Sequence, residues 1–148
     1  MSDLFKPVDV KRTGKNVRHF FETDFDHLMK YASPLSTVSN NRPDRVRENE
    51  EFDSHDQKYL EFVKSRILAD SCRRAINSLT ENSKKIISLV YEHSVTNAMV
   101  MQRLGISSST YGVWKTKALV EFADALLAET SGNSNIKTID LHKYLRED

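Results

Sequence analysis

The sequence predicts an all-α protein, and three observations carry that expectation. From Asp44 to Leu104 the chain holds neither Gly nor Pro, the two residues that helices tolerate worst. Good helix formers fill that span. Apolar residues along most of the chain recur at three- and four-residue steps, which gathers them on one face of a helix.

Residues Met1 to Arg12 read as an extended arm. Thr13 is a suitable cap for a helix running to about Ala32, with Val17, Phe20, Phe21, Phe25, Leu28 and Tyr31 on one face. Ser33-Pro34 ends it, because the residue before Pro is pushed out of helical geometry. Ser33 to Ser54 is a polar connector, long for the inside of a compact domain. A long helix follows from about His55 to Leu79, its buried stripe marked by Leu60, Val63, Ile67, Leu68, Cys72, Ala75, Ile76 and Leu79. Thr80 and Ser83 offer two caps for a helix over Ser83 to His93, which buries Ile86, Ile87, Val90 and Tyr91. A short helix spans Asn97 to Leu104, Gly105-Ile106-Ser107 makes a tight turn, and the last strong helix runs from about Ser108 to Glu129. Tyr111, Trp114, Ala118, Phe122 and Leu126 stand at core spacing on it. The tail from Ile136 to Asp148 suits one weak helix capped by Thr138. The expected division is 1–54, 55–130 and 131–148.

Composition excludes several classes of function. At 148 residues with 39% hydrophobic and 29% charged, one packed domain with tails is expected rather than a disordered chain. The lone Cys72 allows neither an intrachain disulfide nor a Cys-rich zinc site. A membrane-spanning helix needs about 20 apolar residues. The longest apolar runs, Ala98 to Met101 and Ala125 to Ala128, have four. The first residues show no signal-peptide core, so a reducing cytosol is the expected setting. His19 and His27 lie about 12 Å apart along a helix, too far to share an ion. Asp24 and His27 are one turn apart, but two ligands do not make a site. No Gly-rich phosphate loop and no catalytic His–Cys pair occurs, and Cys72 falls on an apolar stripe. Neither an enzyme nor a metal or cofactor is expected.

The informative segment is Thr96 to Leu119, TNAMVMQRLGISSSTYGVWKTKAL. It has the parts of a helix-turn-helix: two short helices crossing steeply over a brief turn. Gly105 supplies a residue free to take positive φ after the first helix. Ile106 pins the corner and Ser107 caps the second helix. The same pattern also suits a corner between two helices with no DNA role. Charge favours the DNA reading. Net charge is only +1, yet the 28 residues between Glu92 and Glu121 contain no acid, while they hold Arg103, Lys115, Lys117 and His93. Ser107 to Thr110 put four small hydroxyl residues at a helix N-terminus, where the dipole favours an anion. Gly112 on the same helix costs roughly 1 kcal/mol relative to Ala. Either it lets the helix sit deep in a groove or it clears space for a neighbouring helix.

The stretch LGISSSTYGVWKTKAL resembles the helix-turn-helix of sigma-factor region four. The longer pattern resembles the ArpU family of phage transcriptional regulators. It runs from Leu4-Phe5 and Val8-Asp9 through Arg74-Ala75-Ile76-Asn77-Ser78-Leu79 and Lys85-Ile86-Ile87 with Val90-Tyr91. It continues over Leu104 to Tyr111 and Lys117-Ala118-Leu119 with Phe122-Ala123. The resemblance implies a regulator of phage or prophage late genes, acting as an activator in the bacterial host cytoplasm. In one departure, related recognition helices often carry Arg or Lys early, where this one has Ser108 and Ser109.

Residue roles follow from helix geometry. Ser108, Ser109, Gly112, Val113 and Thr116 are expected to face base edges in the major groove. Ser107, Thr110, Lys115 and Lys117 are expected to reach phosphates, with Arg103 and Thr96 helping from the first helix. Tyr111 and Trp114 are read as core, and Lys84 and Lys85 as solvated. The basic residues Lys6, Lys11, Arg12, Lys15 and Arg18 suit a mobile tail better than a phosphate contact. The acids between Asp44 and Asp56 suit a solvated linker, with a contact to RNA polymerase as the alternative. Phe20, Phe21 and Phe25 suit internal core or a homodimer contact. The expected partners are therefore double-stranded DNA, host RNA polymerase and a second copy. The alternatives are a sigma-like polymerase subunit, a phage small terminase subunit that packages DNA, and an interaction module without DNA contact.

Overall fold

Asp9, not Thr13, starts the first helix. Its side chain accepts a hydrogen bond from the Arg12 N–H at 3.1 Å, the bond that satisfies an orphan donor of the first turn. The structure, a computed structural model, describes residues 6–31 and 49–145, with the side chains of 6–30 and 57–145. Helix α1 spans Val10–Phe20 and passes through a wider π-helical turn, Phe21–Phe25, into α2, Asp26–Tyr31. Helix α3 spans Asn49–Asn77. Helix α4 spans Glu81–Ile87 and opens into a second π-helical turn, Ser88–Glu92. Helices α5, Asn97–Leu104, and α6, Ser108–Ser131, complete the order. The all-α expectation holds among the described residues, where the extended exception is one antiparallel bridge between Val8 and Tyr144. No helix there is long and apolar enough to cross a membrane.

Helix α6 is the central beam, with α1, α3 and α4 all packed against it. Val17, Phe20, Phe21 and Phe25 bury against Phe122 and Leu119 of α6 and against Cys72 and Ile76 of α3. The first π turn brings consecutive Phe20 and Phe21 both inward, at 5.8 Å between ring centroids, with Phe21 4.5 Å from Phe122. Phe21 also stacks on Tyr91 of the second π turn at 4.3 Å. Residues of α1, the first π turn, α2, α3 and α6 share this core. Burial pushes the Cys72 thiol up to about 12, against the neighbouring charge of Arg73, so it keeps its proton at neutral pH.

Three boundaries differ from expectation. Thr13 lies buried inside α1, where its hydroxyl donates to the Lys143 carbonyl at 3.2 Å and accepts from the Lys143 N–H at 2.9 Å. Helix α3 begins at Asn49 rather than His55. The helix end near Ala32 and Ser33-Pro34, and the connector up to Glu48, lie outside the described residues. Ser83 does not cap α4. It is buried within the helix and donates to Glu121 Oε2 at 2.9 Å. The same carboxylate accepts from the Thr80 N–H at 3.1 Å and the Thr80 hydroxyl at 2.9 Å, so Glu121 caps α4 from a distance.

The tail is extended rather than helical over its described residues. A short isolated helix is marginal in water, and the tail's backbone finds partners elsewhere. Asp9 N–H donates to the Lys143 carbonyl at 2.8 Å, Leu145 N–H to the Pro7 carbonyl at 3.0 Å, and Asn16 Nδ2 to the Leu141 carbonyl at 2.8 Å. His142 sits between two carboxylates, with Nδ1 2.6 Å from Asp140 and Nε2 2.6 Å from Asp124 of α6. The tail thus straps the start of α1 to the flank of α6.

Candidate nucleic-acid interface

Helix α5 starts at Thr96, whose hydroxyl accepts the Met99 N–H at 3.3 Å. It stops at Gly105, which adopts φ 67 and ψ 37, a left-handed conformation that costs other residues about 1–2 kcal/mol. Gly105 N–H then reaches the Gln102 carbonyl and Ile106 N–H the Met101 carbonyl, both at 3.2 Å, which satisfies carbonyls at the helix end. Ile106 turns inward onto a second apolar cluster built on Ile86, Val100 and Tyr111. Ser107 caps α6, accepting the Thr110 N–H at 3.2 Å. The expected turn, its glycine and its cap all stand where the sequence put them.

Tyr111 and Trp114 pack into this cluster, as expected. The Tyr111 hydroxyl donates to Asn97 Oδ1 at 2.6 Å, which ties the start of α5 to α6. Lys115 shares that acceptor at 3.1 Å and stands 5.6 Å from the Tyr91 ring centroid. Burial, and then the charge of Arg18, lower the Lys115 pKa against the pull of Glu22. The structure therefore turns Lys115 inward instead of grouping it with the outer residues.

The outer face of α6 is open. Ser108, Ser109, Gly112 and Val113 are exposed, Val113 by 68%. A Cβ on Gly112 would meet nothing within 4 Å, so this glycine clears no space for a neighbouring helix. Thr116 is half-buried, and its hydroxyl donates back to the Gly112 carbonyl at 2.9 Å. Lys117 and Arg103 are exposed. The hydroxyls of Ser107 and Thr110 are engaged with each other at 3.1 Å.

Val10, missed in the sequence, and Lys11, read there as part of a mobile tail, join this face. Val10 and Lys11 of α1 line an open groove of about 740 Å³ together with Ser109, Gly112, Val113, Thr116, Lys117, Val120 and Glu121. The available signal was Asp9, three residues before Arg12, a good capping arrangement that starts α1 early enough to reach the groove. Among the described residues no three His, Cys, Asp or Glu side chains gather as a metal site.

No curated protein and no solved structure matches the chain. Residues 53–123, from within α3 to Ala123 of α6, match the model of a family described as "Protein of unknown function (DUF1492)".

Proposed function

We propose that this chain is a sequence-specific DNA-binding transcriptional regulator and not an enzyme. Helices α5 and α6 form its helix-turn-helix, and α6 is the recognition helix. One observation carries the reading: an outward face of α6, bearing Ser108, Ser109, Gly112 and Val113, is open and lies in a stretch free of acids from His93 to Val120. A helix of this kind fits the major groove, where small hydroxyls bond base edges and Val113 meets a thymine methyl. The bare Gly112 permits close approach of the helix backbone. Arg103 and Lys117, both exposed, supply phosphate contacts that set the register.

The resemblance of Leu104 to Leu119 to sigma-factor region four, and of the longer pattern to ArpU regulators, supports an activator of phage or prophage late genes in the bacterial host cytoplasm. Footprinting on DNA flanking the gene, with and without host RNA polymerase and at two salt concentrations, tests this. Protection by the chain alone supports the activator. Protection that needs core polymerase favours a sigma-like subunit. A ring-sized assembly in solution favours a small terminase subunit. Absence of protection under every condition rejects the reading.

A further inference from the structure

The groove between α1 and α6 has walls of two kinds of chemistry. Val10, Val113, Val120 and the bare backbone of Gly112 make it apolar, and Val10 is left 51% exposed. Each wall also carries a cation, Lys11 on α1 and Lys117 on α6. The carboxylate that lines it, Glu121, is engaged by Thr80 and Ser83 at the start of α4. An apolar trough edged by ammonium groups complements a nucleic-acid strand: deoxyribose and thymine methyl are apolar, and the phosphates are anionic.

We propose that the duplex read by α6 lies over this groove, with Lys11 holding a backbone phosphate from the α1 side and Lys117 one from the α6 side. This rests on the DNA-binding reading of α6. It adds α1, which lies outside both the two-helix unit and the matched residues 53–123, as a second DNA-contacting element. The support for Lys11 is rigid. Asp9 caps α1 beneath it, and the tail holds the same turn through Asp9 N–H to Lys143 and the Thr13 hydroxyl to Lys143. Gly14 sets α1 against α6, where a Cβ built on it would be in ordinary contact with Thr116. Lys11 thus meets the duplex from a fixed helix instead of a mobile arm.

The test is equilibrium binding of the full chain to a short duplex of mixed sequence over a series of salt concentrations. Lys11→Ala should lower the slope of log affinity against log salt by about 0.9, the release of one fewer counterion. Lys117→Ala should do the same, and Lys11→Arg should restore the slope. Lys58→Ala, at an exposed lysine that lines no part of the groove, should leave it unchanged. A full slope in Lys11→Ala beside a reduced slope in Lys117→Ala overturns the groove assignment and leaves the reading of α6 standing. Salt-independent binding, or none, in the unaltered chain overturns both. A dimer formed without DNA and dissolved by Val113→Glu would give the groove to a second copy and overturn the assignment too.

Discussion

Gly14 of α1 faces Thr116 of α6: a Cβ built on Gly14 would lie 3.8 Å from Thr116 Cγ2 and 4.0 Å from Leu119 Cδ1. Both are ordinary contact distances, so a methyl fits while a longer side chain does not. Gly14 is also inside a helix, where Ala is favoured by about 0.5–1 kcal/mol. Gly14→Ala should therefore raise stability by about that amount, a rise of roughly 3 °C in Tm. Gly14→Leu should lower Tm by forcing α1 off α6. Thermal denaturation of the two variants checks the packing.

Gly112→Ala separates stability from binding. Nothing stands within 4 Å of the added methyl, so the helix should gain up to about 1 kcal/mol. The same methyl would project from the face assigned to DNA. Denaturation should show the gain, and duplex binding at fixed salt should weaken. A variant that is more stable and binds as tightly as the parent would place the duplex elsewhere.

Lys115 and Lys117 should behave differently although they are two residues apart. Lys117 is exposed and lines the groove, so Lys117→Ala should leave stability nearly unchanged and reduce the salt slope by about 0.9. Lys115 is engaged with Asn97 and Tyr91, so Lys115→Ala should cost roughly 1 kcal/mol of stability and keep the slope. Urea denaturation and a salt titration on both variants read the two effects separately.

The tail's hold on α1 should depend on pH. Burial lowers the His142 pKa, but hydrogen bonds to Asp124 and Asp140 and their charges outweigh it and raise the value overall. A raised histidine contributes stability that is fully present below its unfolded value of about 6.5, and loses it as pH rises through the folded value. Asp140 has the opposite sign. Burial raises its pKa, yet hydrogen bonds from Tyr144 and His142 bring it below the ordinary value, so its contribution is lost in acid. The strap should be tightest in the mildly acidic window between these titrations. Hydrogen exchange of the Asp9, Lys143 and Leu145 amides, corrected for intrinsic rates, should quicken on passing to alkaline pH. His142→Gln should flatten that rise.

Legibility followed the range of the determining contacts. Asn97–Leu104, the turn at Gly105 and the cap at Ser107 were readable because their signals are local: a glycine free to take positive φ, a cap three residues before its donor, and apolar spacing. The start of α1 was not, because Asp9 and Thr13 are both good caps. Thr13 lies inside the helix, its hydroxyl bonded to Lys143 far along the chain. The tail was misread for the same reason, since its partners Pro7, Asp9 and Asn16 belong to the other end of the sequence. Helical spacing alone also gave no sign of the hydrogen bond from Lys115 to Asn97 on α5. The two π turns carry no local composition signal, and they are what aligns Phe21 with Tyr91.

The proposed function requires the open face of α6 to read duplex DNA. The most direct measurement is selection from a pool of randomised duplexes by the full chain and by Ser109→Ala. The prediction is enrichment of one short sequence, with affinity falling linearly in log salt, and a loss of about 1–3 kcal/mol of preference at one base position in the variant. Enrichment of no sequence by the unaltered chain, or an identical base preference in Ser109→Ala, would contradict it.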